Sequence, residues 1–308
     1  MSDLADSNSV VSVLGEATFT HPFHDEDADI ILRAAHGIKF SCHRIILSKA
    51  SSVFRDMFTF PAPTEPASQN PPVVDVAETA NILSLVLSYC YPGEDPKHDD
   101  IDTTRLVLEV MRKYAMDGLI LRAAKVLGSF ATTEPLRVFA VACCFDLQSV
   151  AREAAKQSLK LSMWPLAAEP VPEFQYISAS AFQKLLQYHR RCADVATKTL
   201  DDLRWVDDGS WAWFQCKRCE PHPASYKLRR GAYTYVPRRW FVDYMVITQK
   251  RLVLRPLCPV IPQAAFLTGD LMEDPRKCTG CSVIGSADRM RFSDLLRAHI
   301  DDVVSEVS

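Results

Sequence analysis

The spacing of apolar positions changes period repeatedly along the first half of this chain. Ile30-Ile-Leu32 and Ile38-Lys-Phe-Ser-Cys42 are short apolar or alternating runs, opened by Asp29 and separated by His36-Gly37. Period-two runs around a glycine turn predict a β-hairpin. His43 to Lys49 and Ser51 to Phe58 then read as two short helices, with the Ser51 hydroxyl placed to cap the second. Five prolines fall within residues 60–72 and predict a loop, because proline removes donors and disfavours helix in the residue before it. Val73 to Val76 is a short strand. Helices are predicted over Thr79–Tyr91, with inner face Ile82, Leu83, Val86, Leu87 and Cys90, and over Thr104–Tyr114 and Gly118–Phe130. The inner positions of this last pair are Leu106, Val107, Val110 and Met111, and Leu119, Ile120, Ala123, Val126 and Leu127.

Beyond Pro135 the pattern becomes mainly helical. Pro135–Phe145 and Leu147–Leu161 read as a helical hairpin, ended by Pro165, Pro170 and Pro172. A long amphipathic helix is predicted from Ser178 to about Trp205. A final helix is marked by Phe292, Leu295, Leu296, Ile300, Val303, Val304 and Val307 on one face. The expected organisation is a flexible arm over 1–22, an α+β domain over 23–131, a helical hairpin with a proline-rich linker over 132–172, and a mainly helical region over 173–308.

Composition adds a compartment. The 308 residues are 48% hydrophobic and 24% charged, as in an ordinary globular protein of about two domains. No apolar run approaches the roughly 20 residues that cross a bilayer. The start, Met1-Ser-Asp-Leu-Ala-Asp6, is acidic where a secretory signal would be basic. The expected location is therefore intracellular, cytoplasmic or nuclear, and the ten cysteines are read for metal binding before disulfides. The net charge of −3 hides an asymmetry: residues 1–110 carry 17 acidic and 7 basic side chains, and residues 215–255 carry 10 basic and 2 acidic ones. Such a basic segment marks either an anionic partner or a solvated face.

The ordered set of hairpin, His43-Arg44-Ile-Ile-Leu47, Ser51-x-x-Phe54, the Asp75-Val76 strand, Tyr89-x-Tyr91-x-Gly93 and Lys113-Tyr-Ala-Met-Asp-Gly118 resembles a BTB/POZ domain over about residues 23–130. That resemblance implies a small sheet flanked by a helical cluster, acting as a non-enzymatic adaptor that binds protein partners or a second copy of itself. It places an acidic and a basic residue of an interface pocket at Asp29 and Arg44, beside His43. Read from the residues alone, Asp29 caps the strand entry and Arg44 is a solvated helix charge. Two departures stand against the family pattern. The arm before Phe23 lacks the apolar helix exchanged in swapped dimers. The hydrophobic-x-Glu motif of cullin-recruiting members has only Pro63-Thr-Glu65 in its place, so a cullin ubiquitin-ligase adaptor is an alternative without support. The later order of helical hairpin, Tyr188-His-Arg-Arg-Cys192 and Trp-rich cysteine motifs is similar to a group of fungal BTB proteins.

Cys216-Lys-Arg-Cys219 and Cys278-Thr-Gly-Cys281 are the pointed chemistry of the second half. Two such turns supply the four thiolates of a structural zinc site, with 58 residues between them closing a long loop. Unliganded thiols and a redox dithiol are the other readings, the last lacking a βαβ setting. His189, Cys192 and His222 are reserve ligands; Cys42, Cys90, Cys143 and Cys144 read as core. Tyr226 to Trp240 interleaves cations with aromatics, which suits phosphate contacts and base stacking in a nuclear factor. However, no nucleic-acid motif is met, and Val242, Met245, Val246 and Ile247 read as core. Phosphate loops, nucleophile elbows and His-Glu-x-x-His are missing from the sequence, so an enzyme is not expected.

Overall fold

The computed structural model describes residues 21–59, 71–162, 170–206, 211–222, 228–230, 233–257, 278–281 and 284–307. The chain forms two compact units, Met1–Ala154 and Ala155–Ser308. The expected arm over 1–22 lies mostly outside the described residues. Its last part does not behave as an arm, because His21 is buried and stacks on Phe40 with ring centroids 4.1 Å apart.

The first unit is built on a three-stranded sheet. Strands β1 (Ile30–Arg33) and β2 (Lys39–Cys42) pair antiparallel, and β3 (Val73–Asp75) runs parallel to β1, giving the order β2-β1-β3. The turn between β1 and β2 takes positive φ at His36 (68°) and Gly37 (84°), the backbone conformation for which the glycine was expected. Ile30, Leu32, Phe40 and Cys42 alternate into the core, as period two requires. Arg33 and Asp75 hold the parallel register with a two-point ion pair at 2.5 and 2.6 Å.

Helices cover this small sheet. They are α1 (Arg44–Ala50), α2 (Ser52–Thr59), α3 (Ala80–Cys90), α4 (Ile101–Lys113) and α5 (Asp117–Ser129). Ser51 does cap α2: its Oγ accepts the Phe54 N–H at 3.0 Å and donates to the Tyr114 carbonyl at 2.5 Å, while Phe54 stacks on Tyr114 at 4.6 Å. One hydroxyl thus ties a helix start to the end of α4. Helix α4 begins three residues earlier than the apolar pattern predicts because the Asp100 carboxylate accepts the Thr103 N–H at 2.6 Å. Leu106, predicted on its inner face, is 38% exposed, whereas Thr104 is buried and bonded to His98 at 2.9 Å. A polar pair here takes a position that apolar spacing assigns to leucine.

Helix α6 (Pro135–Cys144) starts with proline at its first turn and packs against α4 and α5, inside the first unit. The first unit ends within α7 (Gln148–Ser158).

The second unit contains α8 (Ala179–Lys198), α9 (Ala212–Gln215), α10 (Arg239–Leu254) and α11 (Ile284–Ser305), with a short antiparallel pair β4 (Leu228–Arg230) and β5 (Tyr233–Tyr235). Ser178 caps α8 by accepting the Ala181 N–H at 3.1 Å. That helix ends at Lys198, short of the predicted Trp205, because the following turns fold Leu203 and Val206 into the core. The core itself is aromatic. Trp211, Trp213, Trp240, Phe241, Tyr244 and Phe292 are all fully buried, with Trp213 and Phe241 stacked at 4.6 Å and 5°. Helix α11 buries Phe292, Leu296, Ile300 and Val304, four of the positions its 3.6-residue spacing marks. Helix α10 was hidden in the sequence beneath its cations, yet Trp240, Phe241, Tyr244, Met245, Thr248 and Leu252 form its buried stripe. Val246, read as core, is instead 40% exposed on the opposite face.

Replacing Ser51 with alanine is expected to destabilise the first unit by about 1–2 kcal/mol, through loss of the helix cap and of the bond to Tyr114. Urea unfolding followed by circular dichroism reads that loss. A change under a few tenths of a kcal/mol would show that the cap contributes nothing to stability.

Candidate functional site

The face expected from Asp29, His43 and Arg44 is assembled where β1 and β2 give way to α1. Asp29 is exposed, and its carboxylate accepts the main-chain N–H of Arg44 at 2.7 Å. The two residues predicted to line a charged pocket are therefore joined, but through backbone: Asp29 terminates α1 electrostatically. The Arg44 guanidinium lies over the Phe58 ring at 5.4 Å. His43 is anchored from three directions. Its main-chain N–H donates to the Tyr91 hydroxyl at 2.9 Å, its Nδ1 lies 3.1 Å from that same oxygen, and its Nε2 lies 3.2 Å from Asp27. Tyr91 of the Tyr-x-Tyr motif thus locks the entry of α1 onto the end of α3.

Beside this junction runs an open groove of about 370 Å³ lined by α1, α3 and α5, including Ile45, Lys49, Tyr89, Leu119 and Arg122. Ile45 is 65% exposed at its edge. The sequence reading missed Ile45 as a surface residue, since spacing alone assigns it to a helix without saying which face the fold covers. Arg122 bonds the Tyr89 carbonyl at 2.8 Å and pairs with Asp95, which fixes the far wall.

In the second unit, the two Cys-x-x-Cys turns meet. Cys216 Sγ lies 3.6 Å from Cys278 Sγ, and Cys219 Sγ lies 3.6 Å from Cys281 Sγ. All four sulfurs fall within 4.8 Å of one another. Cys219 and Cys281 are buried in the aromatic core, while Cys216 and Cys278 pack against its edge. Gly280, expected to tighten the second turn, would carry a Cβ 3.5 Å from Cys216 Sγ and 3.8 Å from Cys278 Sγ. Those are ordinary contacts, so the turn does not require glycine. Burial opposes ionisation of Cys216, but the N–H groups of Cys219 and Arg218 and the neighbouring thiols bring its pKa down to about 6. Burial and the adjacent sulfurs push Cys281 up to about 12 and Cys219 upward as well. Crowded thiols of this kind do not all ionise without a cation between them.

The BTB/POZ family model matches residues 20–129, the span that holds the sheet, helices α1 to α5 and the Asp29–His43–Arg44 junction. Residues 20–129 are a BTB/POZ domain. Over 129 residues the chain is 33% identical to Kelch-like protein 35 of Mus musculus. That match takes in 42% of this chain and 22% of the mouse protein, so the chain matches less than a quarter of that relative's length.

Outside the BTB domain, the reserve ligands do not join the sulfur cluster. His189 is buried on α8 with its Nε2 2.8 Å from Ser158 Oγ, and Cys192 one turn later belongs to the apolar core. His222 donates its main-chain N–H to the Pro237 carbonyl and is not among the clustered side chains. The basic-aromatic segment is described only in part. Within it, Trp240 is fully buried, and Arg239 bonds Glu220 at 3.4 Å. A buried indole offers no platform for base stacking. The loop carrying Pro63-Thr-Glu65 lies outside the described residues. Among the described residues, no helix is long and apolar enough to cross a membrane.

Burial lowers the His189 pKa from 6.5 to about 4. The unfolded chain then binds this proton first, so stability is lost as the pH falls from 6.5 toward 4. Between pH 7 and 5 the loss attributable to this residue is at most about 2 kcal/mol. All five tryptophans lie after residue 154, so their fluorescence reports unfolding of the second unit alone. His189→Gln is expected to flatten the pH dependence of that transition. An unchanged slope would mean that another group dominates acid sensitivity there.

Proposed function

We propose that this chain is a non-enzymatic adaptor whose BTB domain docks other proteins, and that two copies pair through the face formed by Asp29, Arg44 and Ile45. The observation that carries the reading is the BTB domain itself, a protein-interaction fold, over residues 20–129. The exposed Ile45 beside an open groove is where that reading places the contact, because covering its apolar area on association is favourable. Asp29 and Arg44 would frame that anchor with opposite charges, setting register more than affinity.

Cullin recruitment is the nearest alternative within the same class. It rests on the similarity of residues 20–129 to BTB adaptors, against which Pro63-Thr-Glu65 departs from the hydrophobic-x-Glu motif, and a pull-down with purified cullin decides it. The nucleic-acid reading of the segment after residue 226 is disfavoured by the burial of Trp240. Failure of the protein to bind nucleic acid at low salt would remove it, since phosphate contacts are strongest there.

Sedimentation of the full chain at micromolar concentrations tests self-association. The wild type should sediment as a dimer. Ile45→Glu should shift it to monomer by at least tenfold in dissociation constant, with the far-UV circular dichroism of the folded protein kept because the side chain is 65% exposed. A wild type that stays monomeric at every concentration would refute the pairing and leave hetero-association as the domain's role.

A further inference from the structure

Four cysteine sulfurs from two segments far apart in sequence converge at one edge of the second unit, and the arrangement discriminates among the things four sulfurs can do. A tetrahedral ion with metal–sulfur bonds of about 2.3 Å sets its ligand sulfurs about 3.8 Å apart. Cys216 to Cys278 and Cys219 to Cys281 stand at 3.6 Å, and no pair exceeds 4.8 Å. A disulfide would bring sulfurs to about 2.05 Å. An iron–sulfur cluster interposes its own iron and sulfide atoms and would hold the cysteines further apart than this. One mononuclear ion is what the space fits.

We propose that Cys216, Cys219, Cys278 and Cys281 bind a single zinc ion as four thiolates, and that this ion clasps the second unit shut. An all-thiolate set selects a soft, tetrahedral ion over magnesium or calcium. With four protein ligands there is no position for water, so the site is structural and does not catalyse hydrolysis. The Cys281 N–H closes its turn on the Cys278 carbonyl at 3.0 Å, and the Cys216 N–H bonds the Ala212 carbonyl at 2.8 Å. These are donors and turns that hold sulfurs on one side of the backbone before any ion arrives. Lys217 and Arg218 are exposed next to the cluster and offset the residual negative charge of a zinc with four thiolates.

The placement explains what the clasp would hold. The first pair follows α9, whose Trp213 and the Trp211 just before it lie in the aromatic core, and the second precedes α11, which supplies Phe292. The two ends are also joined by the Ala212 N–H donating to Asp288 at 2.8 Å. Between the pairs the chain travels 58 residues, so one ion at the edge of the core closes a long loop. Binding then becomes part of the folding of residues 155–308, while the BTB domain, with its own core, is untouched.

The test uses the full chain purified under reducing conditions without added metal chelator. Elemental analysis should give one zinc per chain, and a thiol-reactive mercurial should release it stoichiometrically. Cys219→Ser and Cys281→Ser should each lower zinc content at least tenfold, whereas Cys192→Ser should keep it. Should the cysteine variants misfold, cobalt added to demetallated wild-type protein is the second measurement. Tetrahedral thiolate coordination then gives intense charge-transfer and ligand-field bands, and the tryptophan emission returns to its native position. Iron in place of zinc, two disulfides by intact mass, a Cys192→Ser variant that also loses metal, or chain without stoichiometric metal would each overturn the proposal.

Discussion

A sheet of three strands, with four, four and three residues, cannot bury itself, and the organisation of the BTB domain follows from that shortage. Its central strand β1 must pair on both edges, once locally with β2 and once in parallel with β3 after 39 intervening residues. Parallel pairing demands a crossover, so α1 and α2 are carried over the sheet on the way to β3. Their positions are then fixed by single polar anchors: Asp29 on the Arg44 N–H, Tyr91 on His43, and Ser51 on Tyr114. Buried Glu78 adds a further anchor, accepting from Lys113 at 2.5 Å and from the Tyr114 hydroxyl at 3.0 Å. Each anchor couples residues distant in sequence, which is why a short sheet holds a cluster of five helices.

The inner helix faces are committed to packing, and the polar groups nearest Asp29 are committed to capping and anchoring. Exposed beside the groove are Ile45 and the charge of Lys49, side chains that can recognise a partner. Similarity over residues 20–129 to a family of interaction domains agrees with that physical reading.

The second unit is organised differently. Its core is a stack of indole and phenyl rings drawn from α9, α10 and α11, with Trp211, Trp213 and Phe241 in offset or parallel contact and Phe292 meeting them edge-on. Large rings bury much area per residue, which suits a unit whose described elements are joined by long connections. Such a core is sensitive to how its segments are held together, and the sulfur cluster sits where two of them meet.

Local physics was legible in the residues themselves. The hairpin turn at His36-Gly37, the caps at Ser51 and Ser178, the proline start of α6 and the apolar stripe of α11 all depend on groups within one turn of each other. The Cys-x-x-Cys spacing was equally visible, because it places two sulfurs together whatever the rest of the chain does. Partners far apart in sequence were not. No spacing rule says that Asp29 spends its carboxylate on the Arg44 backbone, or that His189 settles on Ser158 instead of joining the cysteines. The burial of Thr104 over Leu106 and the outward turn of Val246 depend on which neighbour covers each helix. Helix α10 is the clearest case: its buried stripe is present in the sequence, but only tertiary packing separates the aromatic residues that form core from the cations that face water. Periodicity tells which residues share a face, and long-range contact decides which face is inside.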